Sequence, residues 1–225
     1  MNNIEHNIKI LKNKIQYLLK NNDTELKKIK IIAASKNQSV ENIQTALLSG
    51  IYEFGENYIQ EGINKIKKLK QNNKIIWHFI GKLQSKKTKL VAQYFDWCQT
   101  IDREKIAILL NKYRTNKQVP INVLIQINIS KEDNKNGISI KNYHKLAEIV
   151  SKMSNLNFRG IMAMPKKKKE IIKYQDYKNI SDIFNILKHK YQSVDTLSLG
   201  TSFDIKTAIM YNSNMIRIGK NIFRN

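Results

Sequence analysis

The chain has 225 residues, 41% of them hydrophobic, with 40 Lys and Arg against 18 Asp and Glu, for a formal net charge of +22. That length suits one large domain or two small ones, with apolar residues enough for a substantial core. One cysteine, Cys98, excludes an internal disulfide framework, and no apolar run approaches the roughly 20 residues of a membrane span.

The opening MNNIEHNIKILKNK lacks the apolar centre of a signal peptide, so a cytoplasmic protein is expected, with no membrane partner. The basic residues are spread along the chain and are nearly all lysine. Asn and Ile are abundant, whereas there are 8 Gly and 2 Pro, the mark of an AT-rich genome rather than of a nucleic-acid surface. The densest run, Lys166–Lys169, follows Pro165 and reads as a solvated loop. No aromatic residues interleave with it as in a single-strand binder. No specific nucleic-acid partner is expected, although the charge alone gives non-specific attraction to polyanions.

In chain order, Ile4, Ile8, Leu11, Ile15 and Leu18 recur every three to four residues and predict an amphipathic helix, with residues 1–28 as helix and lead-in. Strand-like segments follow at 29–35, 51–54, 75–80, 96–101, 121–128, 157–163, 195–199 and 215–219. Helical segments alternate with them near 40–49, 57–69, 84–94, 103–113, 140–152, 174–190 and 204–211. Eight such units at this length point to an α/β fold, a single closed (β/α)8 TIM barrel over residues 1–225 with an extra N-terminal helix. Alternation alone leaves a doubly wound open sheet standing. The chain stops soon after the eighth strand, which leaves no length for a second domain.

In such a barrel the chemistry gathers at the C-terminal ends of the strands. Lys36 closes the first strand, Ile31-Ile32-Ala33-Ala34-Ser35. A partly desolvated lysine there is suited to attack an aldehyde and form an imine. Later exits supply Asn57, His78, Asp102 and Asn128. The seventh exit, Ser198-Leu199-Gly200-Thr201-Ser202, offers hydroxyls and a glycine before a helix, and the eighth, Arg217-Ile218-Gly219-Lys220, offers a guanidinium and backbone N–H groups. Loops after strands seven and eight commonly bind phosphate in this architecture. A small phosphorylated aldehyde such as pyridoxal phosphate would bridge lysine and cradle. On spacing alone a helix-capping serine and a structural arginine remain an alternative. The four histidines show no metal spacing. Cys98 reads as core packing, Met162 and Met164 as lining or underlying the barrel, Asp102 as a helix N-cap, and Tyr58 as packed into the helix beneath its exit.

Ordered strings extend from Lys36 almost to the end: FGENYIQEGINKI (54–66), WHFIGKLQSKKTKLV (77–91), Asp102-Arg103-Glu104-Lys105-Ile106-Ala107, VLIQINIS with Lys135-Asn136-Gly137-Ile138, RGIMAMP (159–165), LSLGTSFD (197–204) and MIRIG (215–219). With them the chain resembles the pyridoxal phosphate homeostasis protein family, single-domain relatives of the alanine racemase barrel. The resemblance implies that Lys36 forms the aldimine with pyridoxal 5'-phosphate, the vitamin B6 cofactor. It places Asn57 beside the ring and His78 in the pocket wall. It puts Ser198, Ser202 and the backbone of Gly219 and Lys220 on the phosphate, and Arg217 against the pyridine nitrogen. A permanently protonated arginine keeps that nitrogen unprotonated and the ring a poorer electron sink. Three positions depart from the family: Thr201 replaces a methionine, Lys220 a small hydroxyl residue and Lys82 a proline.

The related racemases bring a second acid/base from an added β-domain and a partner subunit. Here the chain ends at the eighth strand, so a monomer is expected that binds pyridoxal phosphate without turnover, with dependent apo-enzymes as recipients, no catalytic residue and no metal. The alternatives are a weak racemase or Schiff-base enzyme, and a polyanion binder driven by charge.

Overall fold

The computed structural model describes residues 3–21, 28–115, 119–129, 136–165 and 174–224. The lysine run at 166–169 and Lys135 lie outside them. Helix α1 (Asn3–Asn21) buries Ile4, Ile8, Leu11, Ile15 and Leu18, the predicted stripe. The first half of the barrel is β1 (Lys30–Ala34), α2 (Val40–Leu48), β2 (Glu53–Glu56), α3 (Ile59–Lys68), β3 (Ile76–Phe79), α4 (Thr88–Tyr94), β4 (Trp97–Ile101) and α5 (Glu104–Tyr113). The second half is β5 (Ile121–Asn128), β6 (Ile138–Ser139), α6 (Tyr143–Ser151), β7 (Leu156–Ala163), α7 (Tyr174–Lys190), β8 (Thr196–Ser198), α8 (Ile205–Met210), β9 (Met215–Ile218) and α9 (Lys220–Phe223).

All strand pairs are parallel, and the sheet closes. The order runs β1-β2-β3-β4-β5-β7-β8-β9 and returns to β1 through Lys30↔Met215, Ile32↔Arg217 and Ala33↔Ile218. The predicted closed eight-stranded barrel is therefore the fold, and the open sheet is not. Apolar residues on both faces of the strands explain the near-continuous hydrophobic runs. Ala33, Phe54, Phe79 and Ile125 pack outward against the helices, while Ile32, Trp97, Leu124, Met162 and Met215 form a separate cluster. Helix α1 packs outside, against α2, α8 and α9.

Some boundaries differ from the sequence expectation. β2 begins two residues later than predicted because buried Ile51 closes the end of α2, donating its N–H to the Ala46 carbonyl. β6 is a two-residue pairing onto the end of β5, through Ile127↔Ile138 and Asn128↔Ser139, too short for a periodic signal. β7 carries a bulge: Val123 pairs with Phe158 but Leu124 pairs with Gly160, leaving Arg159 as the extra residue. Arg159 there ion-pairs with Asp195, donates to Asn122 Oδ1 at 3.1 Å and lies 5.3 Å from the centre of the Trp97 ring. Gly160 is obligatory, since its φ is +136° and a Cβ would meet the Thr196 carbonyl oxygen at 2.1 Å.

Candidate functional site

Lys36 leaves β1 at the C-terminal mouth and is exposed at the rim rather than partly buried. Its backbone is nevertheless held from both sides. Lys65 Nζ donates to the Ser35 carbonyl at 2.6 Å, to Glu56 Oε1 at 2.8 Å and to Glu61 Oε1 at 2.6 Å. Ser35 Oγ donates to the same Glu56 oxygen, and the Asn37 N–H donates to Glu61 Oε1, both at 2.6 Å. Asn37 sits in the left-handed region at φ 60°, a conformation asparagine tolerates better than most residues. Glu56 and Lys65 are buried, and burial pushes the Glu56 carboxyl up against the downward pull of Lys65 and Ser35. Sequence reasoning assigned this cluster no role. Its visible signal was the Glu61–Lys65 spacing of four on one helix face.

The neighbouring strand β9 brings Arg217, 5% exposed, into the barrel beneath the mouth. Its guanidinium donates to Ser198 Oγ at 2.5 Å and to the Ala163 carbonyl at 3.0 Å. Among the described residues no carboxylate reaches it within salt-bridge distance. Burial lowers it to about 10, with Asp204 pulling the other way, so it is a cation at neutral pH. A buried cation with donors left over fits an acceptor such as an unprotonated pyridine nitrogen.

The phosphate candidates converge from adjacent exits. Gly219 follows β9 closely beside β1: a Cβ there would lie 3.5 Å from the Ala34 carbonyl oxygen. The Asn221 N–H donates to Ser202 Oγ at 3.4 Å and Asn221 Nδ2 to the Ser202 carbonyl at 3.3 Å, tying the two loops together. Asp204 Oδ1 accepts from the Thr201 N–H at 2.7 Å and from Thr201 Oγ1 at 2.6 Å, which orders the loop after β8. Lys220 is exposed, its Nζ 5.5 Å from the centre of the Phe203 ring. Asn57, half-buried, leaves β2 beside β1, and its carbonyl rests where a Cβ on Gly81 would lie, 2.0 Å away.

Two expected site residues lie deeper. Ser198 is fully buried, and its hydroxyl is engaged by Arg217 and by Gln99 Oε1, to which it donates at 2.7 Å. His78 is fully buried between Gln99 and Glu53 and stacks on Trp97 with 5.2 Å between ring centres. Burial pushes the His78 imidazole below its ordinary value, against the upward pull of Glu53. The unfolded chain takes up a proton near pH 6.5, and the folded chain does so only at lower pH. The unfolded state thus binds more protons as pH falls below about 6.5, and folded stability drops. Urea midpoints measured from pH 8 down to 5 will show this decline, and His78→Gln will flatten its upper part.

Three further expectations are corrected. Tyr58 does not pack beneath its exit: it is the N-cap residue of α3, with its side chain 58% exposed at the mouth. Asp102 does not cap α5; Arg103 occupies the N-cap and donates from Nη1 to Asp102 Oδ1 at 2.5 Å. Met164 neither lines nor underlies the barrel, being 51% exposed at the rim, whereas Met162 is buried inside. Cys98 is buried, and burial raises its thiol to about 11, so it is inert core.

The family described as alanine racemase, N-terminal domain, matches residues 1–224. A protein from Buchnera aphidicola subsp. Schizaphis graminum, named pyridoxal phosphate homeostasis protein, is 68% identical over 100% of this chain and 99% of its own length. The protein of the same name from Escherichia coli is 42% identical over 99% of this chain and 97% of its own. Among solved structures, PipY of Synechococcus elongatus with PLP bound superposes at a TM-score of 0.77, with 24% identity, over 93% of this chain and 99% of its own. Alanine racemase of Corynebacterium glutamicum superposes at 0.73 with 12% identity, over 98% of this chain and 60% of its own. By sequence along its whole length and by its barrel, the chain belongs to the pyridoxal phosphate homeostasis protein family, within the alanine racemase N-terminal domain family.

Proposed function

We propose that this protein binds pyridoxal 5'-phosphate, holds it covalently as an imine on Lys36, and takes part in cofactor homeostasis without a turnover reaction of its own. The observation that carries the reading is Arg217, a buried guanidinium with no carboxylate within salt-bridge distance among the described residues, on the strand hydrogen-bonded to the one that delivers Lys36. The names of the relatives and the PLP-bound PipY structure support it. When bound, the cofactor supplies a reactive aldehyde and an electron-withdrawing ring. Lys36 anchors the aldehyde end, Asn57 flanks the ring, and Arg217 meets its nitrogen. Ser202 and the backbone of Gly219 and Lys220 receive the phosphate, while Ser198 and His78 serve from beneath, Ser198 directly on Arg217. In this reading the protein is a cytoplasmic monomer that passes the cofactor to dependent apo-enzymes. No helix among the described residues is long and apolar enough to cross a membrane.

The test is borohydride reduction of protein incubated with pyridoxal phosphate, followed by peptide mapping. A single dominant pyridoxyl adduct on Lys36 is expected. A dominant adduct on Lys82, Lys220 or the 166–169 run would sink the assignment. A second reading, a weak racemase, draws on the exposed Tyr58 phenol beside Asn57 and on the fold shared with alanine racemase. Incubation with L-alanine and chiral chromatography decides between them. No sustained D-alanine production is expected, since racemization needs an acid/base group on each face of the ring, each worth about 10²–10⁴-fold, and Tyr58, the candidate opposite Lys36, is 58% exposed. Multiple turnover lost in Tyr58→Phe would restore the enzyme.

A further inference from the structure

Beneath Arg217 a file of hydrogen bonds crosses the barrel interior to the opposite mouth. Arg217 Nη1 donates to Ser198 Oγ at 2.5 Å, and Ser198 Oγ donates to Gln99 Oε1 at 2.7 Å. Gln99 Nε2 lies 3.0 Å from His78 Nδ1, and His78 Nε2 lies 2.9 Å from Glu53 Oε2. All but Glu53 are at most 5% exposed.

The direction of every bond follows from the arginine. A guanidinium can only donate. The serine oxygen that accepts from it turns its own hydrogen to the Gln99 carbonyl. This fixes the amide, whose NH2 then points at His78 Nδ1 and at Met215 Sδ, 3.3 Å away and a weak acceptor. Nδ1 must therefore accept, so the imidazole hydrogen sits on Nε2 and is donated to Glu53. A second proton on Nδ1 would face the amide hydrogens. The charges around the ring are Glu53, Lys30 and Asp96, with Arg159 and Lys30 over the Trp97 ring on which it stacks. Glu53 opens onto a cavity of about 640 Å³ at the N-terminal mouth, with Lys12, Lys30, Arg159 and Asp195 in its wall.

We propose that Gln99 and His78 are positioning residues: with Ser198 they form a one-directional hydrogen-bond chain that fixes the Arg217 guanidinium and couples it to the Glu53 carboxylate at the opposite mouth. The chain stands on this geometry alone. Its effect on a bound cofactor rests on the reading that the ring nitrogen faces Arg217.

Two measurements test it. In protein without cofactor, imidazole nitrogen NMR is expected to find His78 as the Nε2–H tautomer. Ser198→Ala, which changes no charge, frees the Gln99 amide to turn its oxygen to Nδ1. It should raise the His78 titration midpoint by about one pH unit, and Ser198→Thr should restore it. If Ser198→Ala does not fold, Gln99→Met removes the opposing NH2 and should shift the midpoint the same way. A hydrogen on Nδ1 in the wild type, or a midpoint indifferent to these changes, overturns the chain. In protein loaded with pyridoxal phosphate, Glu53→Gln should leave the loading stoichiometry intact and move the pH midpoint of the yellow absorption by about half a unit. An unmoved midpoint overturns the coupling. A wild type that takes up no pyridoxal phosphate refutes the functional reading instead, while the first measurement still decides the chain.

Discussion

Lys65→Met will lower the free energy of unfolding by about 3–5 kcal/mol, the range for stripping one partner from a buried ion pair. The Lys65 ammonium is 5% exposed and neutralises two carboxylates, Glu56 and Glu61, while also holding the Ser35 carbonyl. Glu56 is fully buried, and one of its oxygens, Oε2, has no hydrogen-bond partner among the described residues. Removing Lys65 leaves that carboxylate uncompensated in a low-dielectric site. The double variant Lys65→Met with Glu56→Gln should recover a substantial part of the loss, because the amide needs no counter-charge. Urea unfolding followed by tryptophan fluorescence measures both. A single variant within about 1 kcal/mol of wild type, as for an exposed pair, would show that the cluster is solvated. The variant should also release the backbone on either side of Lys36, so imine formation with pyridoxal phosphate should slow.

Gly81→Ala is the second change with a large expected effect. Its Cβ would lie 2.0 Å from the Asn57 carbonyl oxygen and 2.8 Å from the Asn57 carbonyl carbon. These are backbone atoms, so no side-chain rotation relieves the contact. The exits of β2 and β3 must part, at a cost of roughly 3 kcal/mol, the upper end for overpacking. Asn57 moves with them, so affinity for pyridoxal phosphate should fall at least about tenfold, a loss of ~1.4 kcal/mol. Fluorescence titration and thermal melting separate the two effects. Unchanged affinity in a destabilised variant would show that Asn57 does not touch the ring.

The barrel was legible because each strand is a short apolar run and each helix a three-to-four residue stripe. Ile4 to Leu18 and Ile121 to Asn128 are examples where period and length agree with the structure. Lys36, Arg217 and Gly219 were legible as strand exits, since position along a parallel strand fixes the mouth to which a residue belongs. What sequence could not supply was depth. Ser198 and Arg217 look like mouth residues, yet they meet beneath it, and His78 lies at the barrel's centre. Whether a strand residue points inward and how far below the rim it stops depends on the register between neighbouring strands, such as Gly55↔His78 and His78↔Trp97. Register is a long-range property that no local window encodes. Gln99 carried one local clue, an amide within the otherwise buried WCQTI strand, where an unpaired polar group would be costly. The cluster around Lys65 is nearly silent in the sequence, because surface lysines are so numerous that a buried one has no compositional signature.

The seam where β1 meets β9 joins the earliest strand of the sheet to its last, through Lys30↔Met215 and Ile32↔Arg217. During synthesis the lysine that would hold the aldehyde emerges long before the arginine and glycine that would hold the rest of the molecule. The site therefore does not exist until the ring has closed, and contacts of such sequence separation form late in folding. A ligand anchored on Lys36 and resting on Gly219 would lie across this seam like a staple. Its binding free energy would then oppose the same opening that lets the first and last strands separate.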